Sequence, residues 1–235
     1  MGVQATSIAA NLEGVRERIL RAAERAGRKP EQITLVAVSK TFAAESIRLA
    51  HAAGVRHFGE NRVQEWEAKQ PFLADLDATW HLVGHLQSNK AARAARLFHA
   101  VDSLDSLPLA RKLDRAVARR LPVLIEVRLA PEETKSGVNE ADLPVLAEAV
   151  LGLSHLELRG LMCIPPYLYD PVQVRPYFRK LRELRDALAA RLGQPLPELS
   201  MGMSHDFEVA IEEGATQIRL GTALFGPRES PPREE

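Results

Sequence analysis

The chain has a single cysteine, Cys163, among its 235 residues. No internal disulfide framework can therefore staple it, and a reducing compartment is expected. It has no excess of either charge, with 31 Lys and Arg against 31 Asp and Glu. Net charge thus points to neither nucleic acid nor an anionic membrane as a partner. Aromatic residues make up only 5%, and no basic patch interleaved with them offers a nucleic-acid surface. No apolar run approaches the length needed to span a bilayer. The opening stretch "MGVQATSIAANLEGVRERIL" is amphipathic but lacks the apolar core and cleavage site of a secretory leader. A cytoplasmic location is expected. There is also no internal repeat and no obvious linker, so one domain is expected over residues 1–226, with the Pro-rich, charged "PRESPPREE" (227–235) as a disordered tail.

What the chain does have is alternation. Apolar or β-rich runs fall at 33–40, 56–60, 79–85, 97–102, 122–129, 156–164, 198–203 and 217–221. Stretches with helical spacing fall between them, at 43–53, 61–74, 88–96, 106–120, 140–153, 173–192 and 205–213, and an additional amphipathic helix over about 6–27 stops at Gly27. Strands separated by helices imply parallel βαβ units. Eight of them in a chain of this length suit a closed (β/α)8 barrel. The alternative, a doubly wound open sheet with a dinucleotide crevice, would carry G-x-G-x-x-G after its first strand, and none is there.

In such a barrel the chemistry sits at the carboxyl ends of the strands, and the unusual residues collect there. The first strand, "ITLVAVSKTF", ends in Lys40. The second runs into "GENRVQE" and the third into "HLQSNK", while the seventh ends in "SMGMS" and the eighth in "RLGTALFG". Gly221 lets backbone approach an anion, Thr222 offers a hydroxyl and an N–H, and a short helical turn after them aims further N–H groups at the same point. Ser204, at the expected cap of helix 205–213, adds a second set of donors. Each alone reads more readily as a cap or a turn; together, at the ends of adjacent strands, they read as well as a phosphate site where barrels commonly have one. Asp206, in the first turn, must point away from any anion held there.

Arg219 shares a face of the eighth strand with Gln217 and Gly221. Facing inward, it needs an acceptor: either a barrel carboxylate such as Glu60 or Glu126, or a ring nitrogen or anion of a ligand. Lys40 shares a face with Thr34, Val36 and Val38. It is either an ordinary strand-end lysine or a partly desolvated amine that gives up its proton readily enough to condense with an aldehyde. A phosphate-bearing aldehyde anchored after the seventh and eighth strands would reach it across the mouth, and pyridoxal 5′-phosphate (PLP) meets every one of these needs.

The segments "LVAVSKTF", "HFGENRVQE", "WHLVGHLQSNK", "TKSGV", "LRGLMCIP" and "LSMGMSHDFEVAIEEGATQIRLGTALFGPR" resemble, in order and over nearly the whole chain, the YggS/PROSC family of PLP homeostasis proteins. That family's fold is like the N-terminal barrel of alanine racemase. The resemblance implies PLP held as a Schiff base on Lys40. It places Asn61 near the cofactor and Met203, Ser204, Gly221 and Thr222 at the phosphate, with Ser200 a weaker candidate. It also implies Arg219 facing the pyridine nitrogen, where it disfavours the pyridinium and leaves the ring a poorer electron sink. One departure is His85, where the family pattern has proline. Alanine racemase carries a second domain with a catalytic tyrosine, and the sequence ends at residue 235 with no counterpart to it.

Two functions from different classes follow. One is a PLP carrier in homeostasis, monomer or weak dimer, with apo-PLP enzymes as recipients. The other is a PLP-dependent amino-acid racemase of weak or narrow activity, for which His81, His85 and Tyr167 are the candidate second acid–base groups. A barrel for another phosphorylated metabolite, with Lys40 in an ordinary ion pair, is the third reading. Lys135, in the polar stretch "LAPEETKSGVNEAD", reads as a solvated loop lysine or as a second anchoring point for PLP. His81 reads as packed within its strand and His205 as solvated.

Overall fold

Each β-rich run becomes a strand in the computed structural model, which describes residues 2–130 and 136–227. The strands are β1 (Thr34–Val38), β2 (His57–Glu60), β3 (Thr79–Leu82), β4 (Ala100–Leu104), β5 (Leu121–Glu126), β6 (Leu156–Met162), β7 (Glu198–Ser200) and β8 (Gln217–Leu220). They pair in sequence order into a closed parallel barrel, and β8 returns to β1 with Arg219 opposite Val36. The register shifts within the β4–β5 and β5–β6 pairs.

The helices are α1 (Gly2–Arg25), α2 (Ala44–Ala52), α3 (Val63–Lys69), α4 (Ala91–Leu97), α5 (Leu107–Ala116), α6 (Leu143–Leu151), α7 (Arg175–Leu192), α8 (Phe207–Glu212) and α9 (Thr222–Phe225). A barrel of this kind needs a helix over the β8–β1 seam, and α9 has only 4 residues. The first helix fills that place. It packs against α2, α8 and α9, burying Ile8, Leu12, Val15, Ile19, Ala22 and Ala23, whose spacing is the stripe of an amphipathic helix. Its polar side reaches the same elements: Asn11 donates to the Leu224 carbonyl at 3.0 Å, and Arg18 pairs with Glu208 at 2.8 Å. The extra N-terminal helix is thus part of the barrel wall, and it steadies the turn that follows β8.

The apolar core lies between sheet and helices. Trp66 of α3 stacks on Trp80 at 3.9 Å between ring centres, and Phe58 stacks on the same indole at 5.1 Å. Both tryptophans are packing residues. No helix among the described residues is long and apolar enough to cross a membrane. Lys135 and residues 228–235 of the tail lie outside the described residues.

Candidate functional site

The barrel interior is polar where parallel barrels usually carry layers of branched aliphatic side chains. The His57 Nδ1 lies 3.1 Å from His81 Nε2, and His81 Nδ1 lies 3.2 Å from Asp102 Oδ2. Gln217 Nε2 donates to the same carboxylate at 2.5 Å and to the Ser200 hydroxyl at 2.9 Å. That hydroxyl also accepts from Arg219 Nη1 at 2.7 Å, while Nη2 donates to the Cys163 carbonyl at 2.8 Å. A chain of polar side chains therefore runs from His57 on β2, across β3, β4 and β8, to Arg219. Burying such groups costs free energy unless each finds a partner, and here each does. Burial pulls His81 down, but the charge and hydrogen bond of Asp102 outweigh it and hold the imidazole above its ordinary value. Burial, aided by His81, pushes His57 down. The pair shares its protons unequally, with His81 the more basic partner. His81 is thus more than a packed residue.

Arg219 is 4% exposed. Sequence reasoning offered carboxylates as its partners, and the structure supplies neutral ones, Ser200 and a backbone carbonyl. Glu60 is engaged elsewhere, by Lys69. Among the described residues no carboxylate closes an ion pair with the guanidinium, although Asp102, Glu126 and Asp206 are near enough to raise its pKa against the larger lowering by burial. A buried cation held by two neutral acceptors still has donor capacity, which suits a ring nitrogen or an anion in the mouth above it. Cys163 takes no part as a thiol, since burial pushes its pKa up to about 12.

The loops after β7 and β8 meet. The Ala223 N–H, in the first turn of α9, donates to Ser204 Oγ at 3.1 Å. Ser204 is not the cap of the following helix, because α8 begins at Phe207 rather than at 205 and its N-cap position is Asp206. Asp206 turns inward, 5% exposed, and its Oδ1 accepts the Met203 N–H at 2.6 Å. The carboxylate is thus tied back onto the β7 loop, and the Met203 N–H is occupied. Gly202 has φ +94, and a Cβ there would sit 2.6 Å from that of Ala210 and 2.9 Å from the Phe207 backbone, so the loop closes on α8 only with glycine. A Cβ on Gly221 would come no nearer than 3.5 Å, to the Val38 carbonyl. Thr222 is exposed beside it. Across the seam, Phe42 stacks on Phe225 at 4.7 Å, tying the segment after Lys40 to α9.

Lys40 lies two residues beyond the end of β1 and is half-buried. Thr41 has φ 69, the one non-glycine residue in the left-handed region among those described, which costs of order 1–2 kcal/mol. Around this turn stands a cluster that the sequence did not announce. Lys69 Nζ donates to the Ser39 carbonyl at 2.9 Å, to Glu60 Oε1 at 2.9 Å and to Glu65 Oε1 at 2.7 Å. Glu60 Oε1 also accepts from the Ser39 hydroxyl at 2.8 Å, and Glu65 Oε1 accepts the Thr41 N–H at 2.5 Å. Burial raises both carboxyls. Hydrogen bonds from Lys69 and Thr41 reverse the shift at Glu65, whereas Glu60, fully buried, stays high.

Asn61 follows β2 and is half-buried. Its backbone lies so close to Gly84 that a Cβ there would be 2.4 Å from the Asn61 carbonyl oxygen. His85 pairs its Nδ1 with Asp105 Oδ2 at 3.1 Å and is about half exposed. His205 is exposed; its ring lies against Tyr167, which is itself 76% exposed. Among the described residues no group of three or more His, Cys, Asp or Glu is placed to hold a metal ion.

Glu126, the last residue of β5, gives a pH prediction. Burial pushes its carboxyl up to about 7, against the lowering pull of Arg219 and with Asp105 adding to the rise. The folded state therefore holds a proton there between about pH 4.5 and 7 that the unfolded chain has released. Stability falls as pH rises through this window, by at most roughly 3 kcal/mol from this group. Glu126→Gln is expected to remove that part of the slope and to be the more stable protein at pH 8. Urea unfolding of both proteins at pH 5 and pH 8 checks it; identical pH slopes would refute it.

With this geometry in place, comparisons place the chain among known proteins. Residues 10–229 match the family described as alanine racemase, N-terminal domain. A protein of Aquifex aeolicus named pyridoxal phosphate homeostasis protein is 50% identical over 220 residues, 92% of this chain and 96% of that one. The structure of PipY from Synechococcus elongatus, solved with PLP bound, is 42% identical with a TM-score of 0.83, over 93% of this chain and all (100%) of that chain. The structure of alanine racemase from Corynebacterium glutamicum superposes with a TM-score of 0.71 at 19% identity, over 95% of this chain and 62% of that one. At that identity the likeness is one of fold alone.

Proposed function

The chain belongs to the family of pyridoxal phosphate homeostasis proteins, and on that premise we propose that it binds PLP at the carboxyl mouth of the barrel, held covalently on Lys40, as a PLP carrier. Residues 1–226 act as one PLP-binding unit in this reading. When bound, PLP supplies an aldehyde that condenses with a neutral primary amine, C=N replacing C=O and the oxygen leaving as water.

The observation that carries the reading is Arg219: a buried guanidinium with neutral acceptors, set below a mouth on whose rim Lys40, after β1, neighbours the joined β7 and β8 loops. An acceptor in that mouth completes its hydrogen bonding without the repulsion a second cation would bring. Facing a pyridine nitrogen, it opposes protonation of the ring, which suits storage of the aldehyde better than carbanion chemistry. Ser204, Gly221 and Thr222 line the phosphate end, with Met203 contributing to its wall and Asn61 standing at the end of the neighbouring strand. Ser200 acts from behind, holding Arg219. The reading extends to a cytoplasmic protein, monomer or weak dimer, that passes PLP to apo-enzymes.

The test is an absorption spectrum on adding PLP, followed by borohydride reduction and peptide mapping. A visible band and a reduced adduct on the Lys40 peptide are expected. A chain that takes up PLP without any reducible adduct, or not at all, overturns the proposal. Retention of PLP by the loaded protein when mixed with an apo-enzyme and its substrate would remove the transfer role while leaving binding intact.

A further inference from the structure

The cluster on α3 does something specific to Lys40. The peptide unit entering Lys40 is the Ser39 carbonyl and the Lys40 N–H; the one leaving it is the Lys40 carbonyl and the Thr41 N–H. Lys69 binds the first through the Ser39 carbonyl, and Glu65 binds the second through the Thr41 N–H. Lys69 also joins Glu65 directly and reaches Glu60, which holds the Ser39 hydroxyl. Both peptide planes beside Lys40 are therefore fixed by one ion cluster, and the orientation of two peptide planes sets the φ and ψ of the residue between them. That in turn sets the direction in which its Cα–Cβ bond leaves the backbone.

Two further features point the same way. The turn is of a kind that a threonine avoids on its own, with φ 69 at Thr41, so something outside it must hold it. The cluster is also costly to build. Lys69 is only 13% exposed and spends an ammonium donor on each of three partners, and Glu60 Oε2 is left buried without one. Apolar packing at the same place would be cheaper, and an arrangement that forgoes it in order to grip backbone on both sides of one residue serves that residue.

We infer that Lys69 and Glu65 are positioning residues for Lys40: they touch neither cofactor nor substrate, and they aim the Lys40 amine at the aldehyde by clamping the two peptide groups that flank it. This rests on the assignment of Lys40 as the PLP-bearing residue. A misplacement of about 1 Å at a reacting group can cost on the order of 100-fold in rate, so the clamp should show in the rate of covalent attachment more than in the hold on the rest of the ligand.

The experiment separates these two quantities. Attachment is followed by stopped-flow absorbance at saturating PLP. Affinity for the remainder of the ligand is measured with pyridoxine 5′-phosphate, which has the ring and phosphate and no aldehyde. Glu65→Leu, which removes the acceptor of the Thr41 N–H, is expected to slow attachment about 10- to 100-fold and to leave pyridoxine 5′-phosphate affinity within about twofold. Glu65→Gln keeps an amide oxygen for that N–H and should recover most of the rate. Lys69→Gln tests the other half of the clamp, and carries the test alone should Glu65→Leu fail to fold. Wild-type rates in a folded Glu65→Leu or Lys69→Gln protein would overturn the inference. So would parallel losses of attachment rate and pyridoxine 5′-phosphate affinity, since they would mark a general loosening of the mouth. A wild-type protein that forms no adduct on Lys40 would instead overturn the assignment beneath it.

Discussion

Lys40→Ala is expected to take the borohydride-reducible adduct from stoichiometric to none, without unfolding the barrel. Lys40 follows β1 and is half-buried, so truncating it opens no cavity in the apolar core. The other amine nearby is that of Lys69, which is fixed behind the strand with all three donors bound to the Ser39 carbonyl, Glu60 and Glu65. An amine held by three acceptors must break those hydrogen bonds before it can reach an aldehyde. Arg219 and the loops that hold Ser204, Gly221 and Thr222 are untouched by the substitution, so PLP should still bind, more weakly and without the visible band of the attached form. Equilibrium dialysis alongside the spectrum distinguishes the two effects. A reducible adduct that persists at full stoichiometry and maps to another lysine, Lys135 above all, would show that the attachment point had been misplaced. Loss of all binding would show that the anion and ring contacts contribute little by themselves.

How much of this was legible in the sequence depends on the range over which each feature is decided. The eight strands and the barrel could be read because βαβ alternation is local. Ends were less legible. The run 97–102 reads as a strand from its apolar residues, yet Leu97 closes α4, Phe98 is its buried C-cap, and β4 is Ala100–Leu104. The strand continues through Asp102 and Ser103, polar residues that are nonetheless buried because the interior supplies their partners. The helix expected over 61–74 ends at Lys69, and Gln70–Phe72, which includes Pro71, tightens into a 3-10 turn as proline removes a backbone donor. Lys40, Arg219 and the loops around Ser204 and Gly221 could be placed at one mouth from strand parity and barrel rules alone. The partners of Arg219 could not, because one is a backbone carbonyl and the other depends on the stagger of β7 against β8. The line from His57 to Gln217 joins residues 160 positions apart, fixed by barrel closure rather than by any sequence pattern. The Lys69 cluster was hidden for a different reason. On α3, Glu65 and Lys69 look like an ordinary surface pair four residues apart, and only the fold shows Glu60 and Ser39 waiting beneath them.

The largest effect on stability is expected at Gly160, within β6. It pairs with Glu198 across β6 and β7, and a Cβ there would lie 1.8 Å from the Glu198 carbonyl oxygen and 2.7 Å from its carbon. These are backbone atoms of a neighbouring strand, so no rotamer change relieves the overlap; β7 must move away from β6. β7 is only 3 residues long and has little pairing to lose before it detaches. Gly160→Ala should therefore destabilise the protein by about 3–5 kcal/mol, at the upper end of what overpacking does. It should also disturb the site, because Ser200, at the end of β7, holds Arg219 and Gln217. Gly14→Ala is the matching control. Gly14 sits within α1, and beyond the helix's own backbone nothing lies within 4 Å of the position its Cβ would take, so the same added methyl should stabilise by roughly 0.5–1 kcal/mol through helix propensity. Urea unfolding of the two variants should move in opposite directions. A Gly160→Ala protein within about 1 kcal/mol of wild type would mean that β6 and β7 can separate at little cost. The grip on Arg219 would then have to come from the Cys163 carbonyl rather than from the close approach of these two strands.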